Sequence, residues 1–172
     1  MRPPAVSFIG KSGSGKTTLL VRLIPLLKEK GLRVGSIKRS HHDIEVDREG
    51  KDSWRHRQAG ADPVIVTGGG TWALMKFSEK ETRLTELLDR MAGDADLVVV
   101  EGFKNEAVPS LVIMRRECGW DPDLLKKENC IGIVSDFDPE SNLPWFSFEE
   151  IGKLADFIDA RVVQNAPRDV LK

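Results

Sequence analysis

The 172-residue chain has little with which to brace itself covalently: two cysteines, Cys118 and Cys130, stand twelve positions apart and outside any C-x-x-C spacing. Two such thiols make neither a disulfide framework nor a zinc site, so both are expected to be reduced. There is no charge excess either, with 26 Lys and Arg against 27 Asp and Glu and a formal net charge of -1. A nucleic-acid binder would carry a basic patch or stripe, so nucleic acid is not an expected partner. Apolar runs such as Leu97 to Val100 reach five residues at most, far short of the ~20 that a membrane-spanning helix needs. No membrane span is expected. Arg2, Pro3 and Pro4 lead straight into a strand-like run, with no apolar stretch of signal-peptide length and no small-residue cleavage site, so a cytoplasmic protein is the expectation. Internal repeats and low-complexity tracts are missing as well. What is present, 40% hydrophobic and 31% charged residues, fits a single globular domain over residues 1–172. A chain of this size buries roughly 70% of the surface its unfolded form exposes, enough for an ordinary core.

The apolar pattern alternates between strand and helix. Ala5 to Ile9 reads as a first strand, bounded by Pro4 and a glycine-rich stretch. From Gly15 to Lys30, Leu20, Leu23, Ile24 and Leu27 recur at i, i+3, i+4 and i+7, one face of a helix closed by Gly31. Pro25 removes one hydrogen bond of that helix and predicts a kink rather than an end, because Leu26 and Leu27 continue the pattern. Leu32 to Lys38 reads as a second strand, followed by a long mixed-charge loop from Arg39 to Asp52 and a short helix to Ala59. Pro63 to Thr67 and Thr71 to Phe77 flank Gly68, Gly69 and Gly70 as a hairpin. A helix over Thr82 to Met91, strands at Leu97 to Val100, Ser110 to Met114 and Cys130 to Val134, and a last helix from Phe148 to Val163 complete the chain. This order predicts an α/β fold, a mainly parallel sheet carrying an antiparallel hairpin.

Between the first strand and the first helix, Gly10, Lys11, Ser12, Gly13, Ser14, Gly15, Lys16 and Thr17 match G-x-x-x-x-G-K-[ST] at every fixed position. That is the P-loop, and strand-to-helix is the setting in which it works. The glycines let successive N–H groups converge on one concavity, to which the helix adds its positive end. Phosphate oxygens fit such a nest. Lys16 then serves the β- and γ-phosphates, and the Thr17 hydroxyl is placed to ligate Mg²⁺. Glu101, directly after Leu97 to Val100, supplies the strand-end carboxylate of such a site, either on the metal through water or on the attacking water. His41, His42 and Asp43 open the long loop, where P-loop proteins often meet the γ-phosphate. No N-K-x-D guanine signature occurs, yet Ser135 and Asp136 follow a strand where base-reading residues sit, and either Asp136 or Asp138 is a carboxylate for guanine N–H groups.

The P-loop GKSGSGKTT, the loop IKRSHHDIEVDREGKDSWRHRQAGA from Ile37 to Ala61, and VVVEGFK from Val98 to Lys104 together resemble the MobB family, adaptors of molybdopterin-guanine dinucleotide biosynthesis. The resemblance runs in order through nearly the whole chain. It implies a three-layer P-loop NTPase fold of the SIMIBI branch that binds GTP and Mg²⁺ and hydrolyses GTP weakly. It also implies a homodimer working with the molybdenum cofactor guanylyltransferase, with the molybdopterin cofactor as a further candidate ligand. By the same resemblance Gly13, Gly15, Lys16, Thr17 and Thr18 serve phosphate and Mg²⁺, and His42, Asp43 and Glu101 lie near the γ-phosphate. The absence of His-rich or Cys-Pro-His segments speaks against the nickel-insertion GTPases of this branch. Two other readings stand beside the adaptor: a small-molecule P-loop kinase, and a binding module in which the nucleotide is structural.

Overall fold

The computed structural model describes residues 1–40 and 44–166. Two compact units divide the chain, Met1–Arg39 with Leu84–Lys172, and Ser40–Arg83.

The first unit is built on six parallel strands, β1 (Ala5–Ile9), β2 (Val34–Lys38), β5 (Leu97–Glu101), β6 (Ser110–Met114), β7 (Cys130–Ser135) and β8 (Trp145–Phe146), in the order β2-β5-β1-β6-β7-β8. Strand periodicity explains how the sheet is covered. Val6, Phe8, Val99 and Ile113 point to one face, where Leu19, Leu23 and Leu27 of α1 (Lys16–Glu29) and Leu154 and Ile158 of α4 (Ile151–Ile158) bury them. Ala5, Val98 and Val100 point to the other, against Leu84 and Leu88 of α3 (Leu84–Arg90). On the β6 and β7 side of that second face, Val112, Met114 and Ile133 are roofed by Leu124 from the 3₁₀ segment Pro122–Lys126. With both faces covered, these strands carry near-continuous apolar runs rather than alternating ones. The result is the three-layer parallel α/β arrangement expected.

α1 runs on past Pro25 to Glu29, as its apolar period predicts. The last helix differs: Glu150 takes the Ser147 backbone N–H on its carboxylate at 3.1 Å and bonds back through its own N–H to the Ser147 carbonyl at 3.1 Å. This turn holds Phe148 ahead of the helix, which starts at Ile151 and passes into a π-turn over Asp159–Val163. Among the described residues no helix is long and apolar enough to cross a membrane.

The second unit holds α2 (Asp52–Gln58) and an antiparallel pair, β3 (Val64–Gly68) and β4 (Thr71–Met75), which forms its own two-stranded sheet rather than an extra strand of the parallel one. Gly69 and Gly70 turn the hairpin with φ of 58° and 80°, the left-handed values that a tight two-residue connection demands. Val64 and Met75, paired across it, are buried, whereas Ile65 and Trp72 are 61% and 64% exposed.

Candidate phosphate-binding site

The loop Gly10–Gly15 leaves the C-terminal end of β1 and closes on α1. Glycine is obligatory at two of its positions for different reasons. A Cβ on Gly10 would collide with the carbonyl oxygen of Ile113 in β6. Gly15 caps the helix with φ of 88°, a conformation that costs a side chain strain. Ser14 is fully buried and, among the described residues, its hydroxyl has no hydrogen-bond partner, although its N–H donates to the Lys11 carbonyl at 3.3 Å.

Ser12, Gly13, Gly15, Lys16, Thr17, Thr18, Lys38 and Glu101 line one cavity of about 340 Å³. Lys16 reaches back over the loop, its ammonium donating to the carbonyls of Gly10 at 3.0 Å and Lys11 at 2.7 Å. Burial pushes its pKa below the ordinary lysine value, opposed by the nearby Glu101 and reinforced by Lys38. An anion placed here would meet a cation already partly stripped of water, where Coulombic attraction is stronger than at the surface.

Thr17 and Glu101 meet directly. The Thr17 hydroxyl lies 3.0 and 3.2 Å from the two oxygens of the Glu101 carboxylate, which is only 13% exposed. A hydroxyl and a carboxylate side by side are hard oxygen donors of the kind Mg²⁺ takes while phosphates and waters complete its shell. The parallel register Lys38↔Glu101 then brings the Lys38 ammonium to 3.8 Å from the same carboxylate. Lys38, read from the sequence as the end of the second strand, is a site residue that the sequence reading does not assign. Its signal was the pair of adjacent strands that both end on a charge.

The other predicted residues fall as follows. His41, His42 and Asp43 lie outside the described residues. Ser135 is fully buried, its hydroxyl donating to the Phe137 carbonyl and accepting the Trp145 indole N–H at 2.9 Å. Asp136, exposed at the end of β7, accepts the Arg116 backbone N–H at 3.0 Å. Two residues not read from the sequence stand against the loop from the β6 and β8 side. Arg115 and Phe148 occupy the space beside Gly15, and the Arg115 guanidinium lies 4.1 Å from the centre of the Phe148 ring.

The family model for molybdopterin guanine dinucleotide synthesis protein B, MobB, matches residues 5–136. The chain belongs to this family. It is 40% identical over 159 residues to the molybdopterin-guanine dinucleotide biosynthesis adapter protein of Escherichia coli (strain K12), covering 90% of this chain and 91% of the relative. The adapter protein of Haemophilus influenzae is 39% identical over 158 residues, covering 91% and 88%. Among solved structures, Bacillus subtilis MobB superposes with a TM-score of 0.70 at 29% identity, over 92% of this chain and 98% of that one. HypB from Helicobacter pylori, solved with nickel, shares the fold alone: TM-score 0.52 at 16% identity, over 99% and 92% of the two chains. The MobB match spans the P-loop, Glu101 and Asp136 and leaves the kinase alternative without support.

Proposed function

We propose that this chain is a GTP-binding adaptor of molybdopterin-guanine dinucleotide biosynthesis that works beside the guanylyltransferase of the molybdenum cofactor. The observation that carries the reading is the Thr17–Glu101 contact at the mouth of the phosphate loop, with Lys16 across the same cavity. The names of the relatives at about 40% identity give it its pathway.

In this reading the loop N–H groups and Lys16 hold the β- and γ-phosphates, and Thr18, which lines the same cavity, serves phosphate as the family resemblance implies. Thr17 and Glu101 would hold Mg²⁺, which when bound supplies positive charge to the phosphate oxygens. His42 and Asp43 are assigned to the γ-phosphate end by the family resemblance. Asp136 offers its carboxylate to the N–H groups of the base, with Ser135 bracing the strand end behind it. Among the described residues lining the cavity, Glu101 is the one carboxylate, and it is engaged by Thr17 and faces Lys38. Slow GTP hydrolysis is therefore expected. The reading also includes a cytoplasmic homodimer, to which the exposed Ile65 and Trp72 of the hairpin offer apolar surface, and the molybdopterin cofactor as a further ligand.

Reconstitution with purified guanylyltransferase, molybdopterin cofactor and GTP tests it. Adding this chain is expected to raise the yield of the dinucleotide cofactor, and Lys16→Ala to lose that gain. No gain, together with no association between the chain and the transferase, would contradict the adaptor role.

A further inference from the structure

Building on the GTP reading above, we propose that Arg115 selects the base: its guanidinium takes the O6/N7 edge of guanine and so provides discrimination in a chain without an N-K-x-D signature. Arg115 follows β6, the strand beside the one that opens into the phosphate loop. Its backbone is pinned by a bridge to Gly119 and by the Cys118 N–H on its carbonyl at 3.1 Å. Its side chain lies flat against the loop. The point that a Cβ on Gly15 would occupy is 3.2 Å from Nε and 3.4 Å from an Nη of Arg115, and 3.7 Å from Phe148. Phe148 in turn is tied to α1, since its carbonyl accepts the Arg22 guanidinium at 3.2 Å.

Burial and the lack of a carboxylate together mark this arginine, since Arg90, Arg116 and Arg161 of the same unit also meet no carboxylate among the described residues but are exposed. Arg2, Arg22 and Arg33 of the same unit each meet a carboxylate, at 2.7, 3.4 and 2.7 Å. Arg115 is half-buried and, among the described residues, has a ring as its neighbour but no acceptor for its N–H groups. A rigid fork of donors held off bulk water is best satisfied by a ligand with two acceptors in one plane.

Position decides which part of the nucleotide that is. Glu101 and Lys38 lie on the β5 and β2 side of β1, whereas Arg115 and Phe148 lie on the β6 and β8 side. In the GTP reading the Thr17–Glu101 pair would hold the metal and the terminal phosphates on the first side, which leaves the second for the nucleoside. Guanine presents N7 and O6 as paired acceptors that an arginine fork meets bidentately, while adenine sets an N–H₂ donor where O6 would be.

Titration of the full chain with GTP, ITP, 7-deaza-GTP and ATP, each with Mg²⁺, compares wild type with Arg115→Met. The variant should bind GTP and ITP, which share the O6/N7 edge, about tenfold more weakly or worse and bind ATP within about twofold of wild type. Wild type should bind 7-deaza-GTP several-fold more weakly than GTP, a comparison that needs no substitution and stands even if the variant does not fold. Equal losses of GTP and ATP would put Arg115 on the phosphates and overturn the assignment while leaving the GTP reading intact. Unchanged GTP binding in the variant, or equal binding of GTP and 7-deaza-GTP by wild type, would also overturn it. A wild-type chain that binds none of the four would overturn the GTP reading and this assignment together.

Discussion

Gly10 shows how little room the phosphate loop has. Its α-carbon faces the Ile113 carbonyl on the adjacent strand, and a backbone oxygen inside a parallel ladder cannot swing aside. Gly10→Ala is therefore expected to destabilise the fold by about 1–3 kcal/mol, the usual cost of overpacking, and to lower the thermal unfolding midpoint by several degrees. A midpoint equal to wild type would show that the loop yields where the contact says it cannot. At this scale the motif residues were legible in the sequence, because the P-loop pattern prescribes residue type and spacing together. Lys38, Arg115 and Phe148 were not. Each reaches the loop through pairing or packing between segments far apart in sequence, and local patterns carry no register.

Between elements, a heavily bonded surface contact joins the residue before β2 to the residue before β5. The Asp96 carboxylate accepts the Arg33 backbone N–H at 2.8 Å and its guanidinium at 3.0 and 2.7 Å. These bonds hold the Asp96 pKa below the ordinary carboxylate value, the side-chain bonds contributing most. A carboxylate with a depressed native pKa binds fewer protons folded than unfolded over the interval between the two values. Its contribution is thus fully present above the unfolded value of about 3.9 and is lost as pH falls through the native one. Asp96→Asn should make the midpoint less sensitive to acid over that interval, and melting curves recorded down through the carboxylate range would check it. An unchanged acid slope would mean the contact is too solvated to matter, as many exposed ion pairs are. Long apolar runs made the strands legible, and period and caps did the same for α1. β8 is only two residues long and follows Pro144, whose carbonyl it contributes to the ladder through Ile133 N–H at 2.8 Å, too short a stretch to show a period. The start of α4 was read early because Phe148 fits the apolar face, while the Ser147–Glu150 turn that excludes it is a polar signal.

For the whole molecule, the alternation of strands and helices made the three-layer parallel fold readable. It did not reveal that the hairpin stands in a sheet of its own, since a hairpin signal specifies its turn and its pairing but not which sheet it joins. The exposed Trp72 and Ile65 on one face of that hairpin, related by the β3–β4 register, are expected to be covered between two copies of the chain. Light scattering at micromolar concentration should give twice the mass of the chain, and Trp72→Glu should shift it toward the monomer. A wild-type monomer would remove the homodimer from the proposal. The GTP-binding adaptor itself depends on which nucleotide the phosphate loop holds. Isothermal titration with non-hydrolysable GTP and ATP analogues in the presence of Mg²⁺ is predicted to show GTP at least about tenfold tighter, a difference of about 1.4 kcal/mol, with binding lost in Lys16→Ala. Preference for ATP, or binding that survives Lys16→Ala, would contradict it.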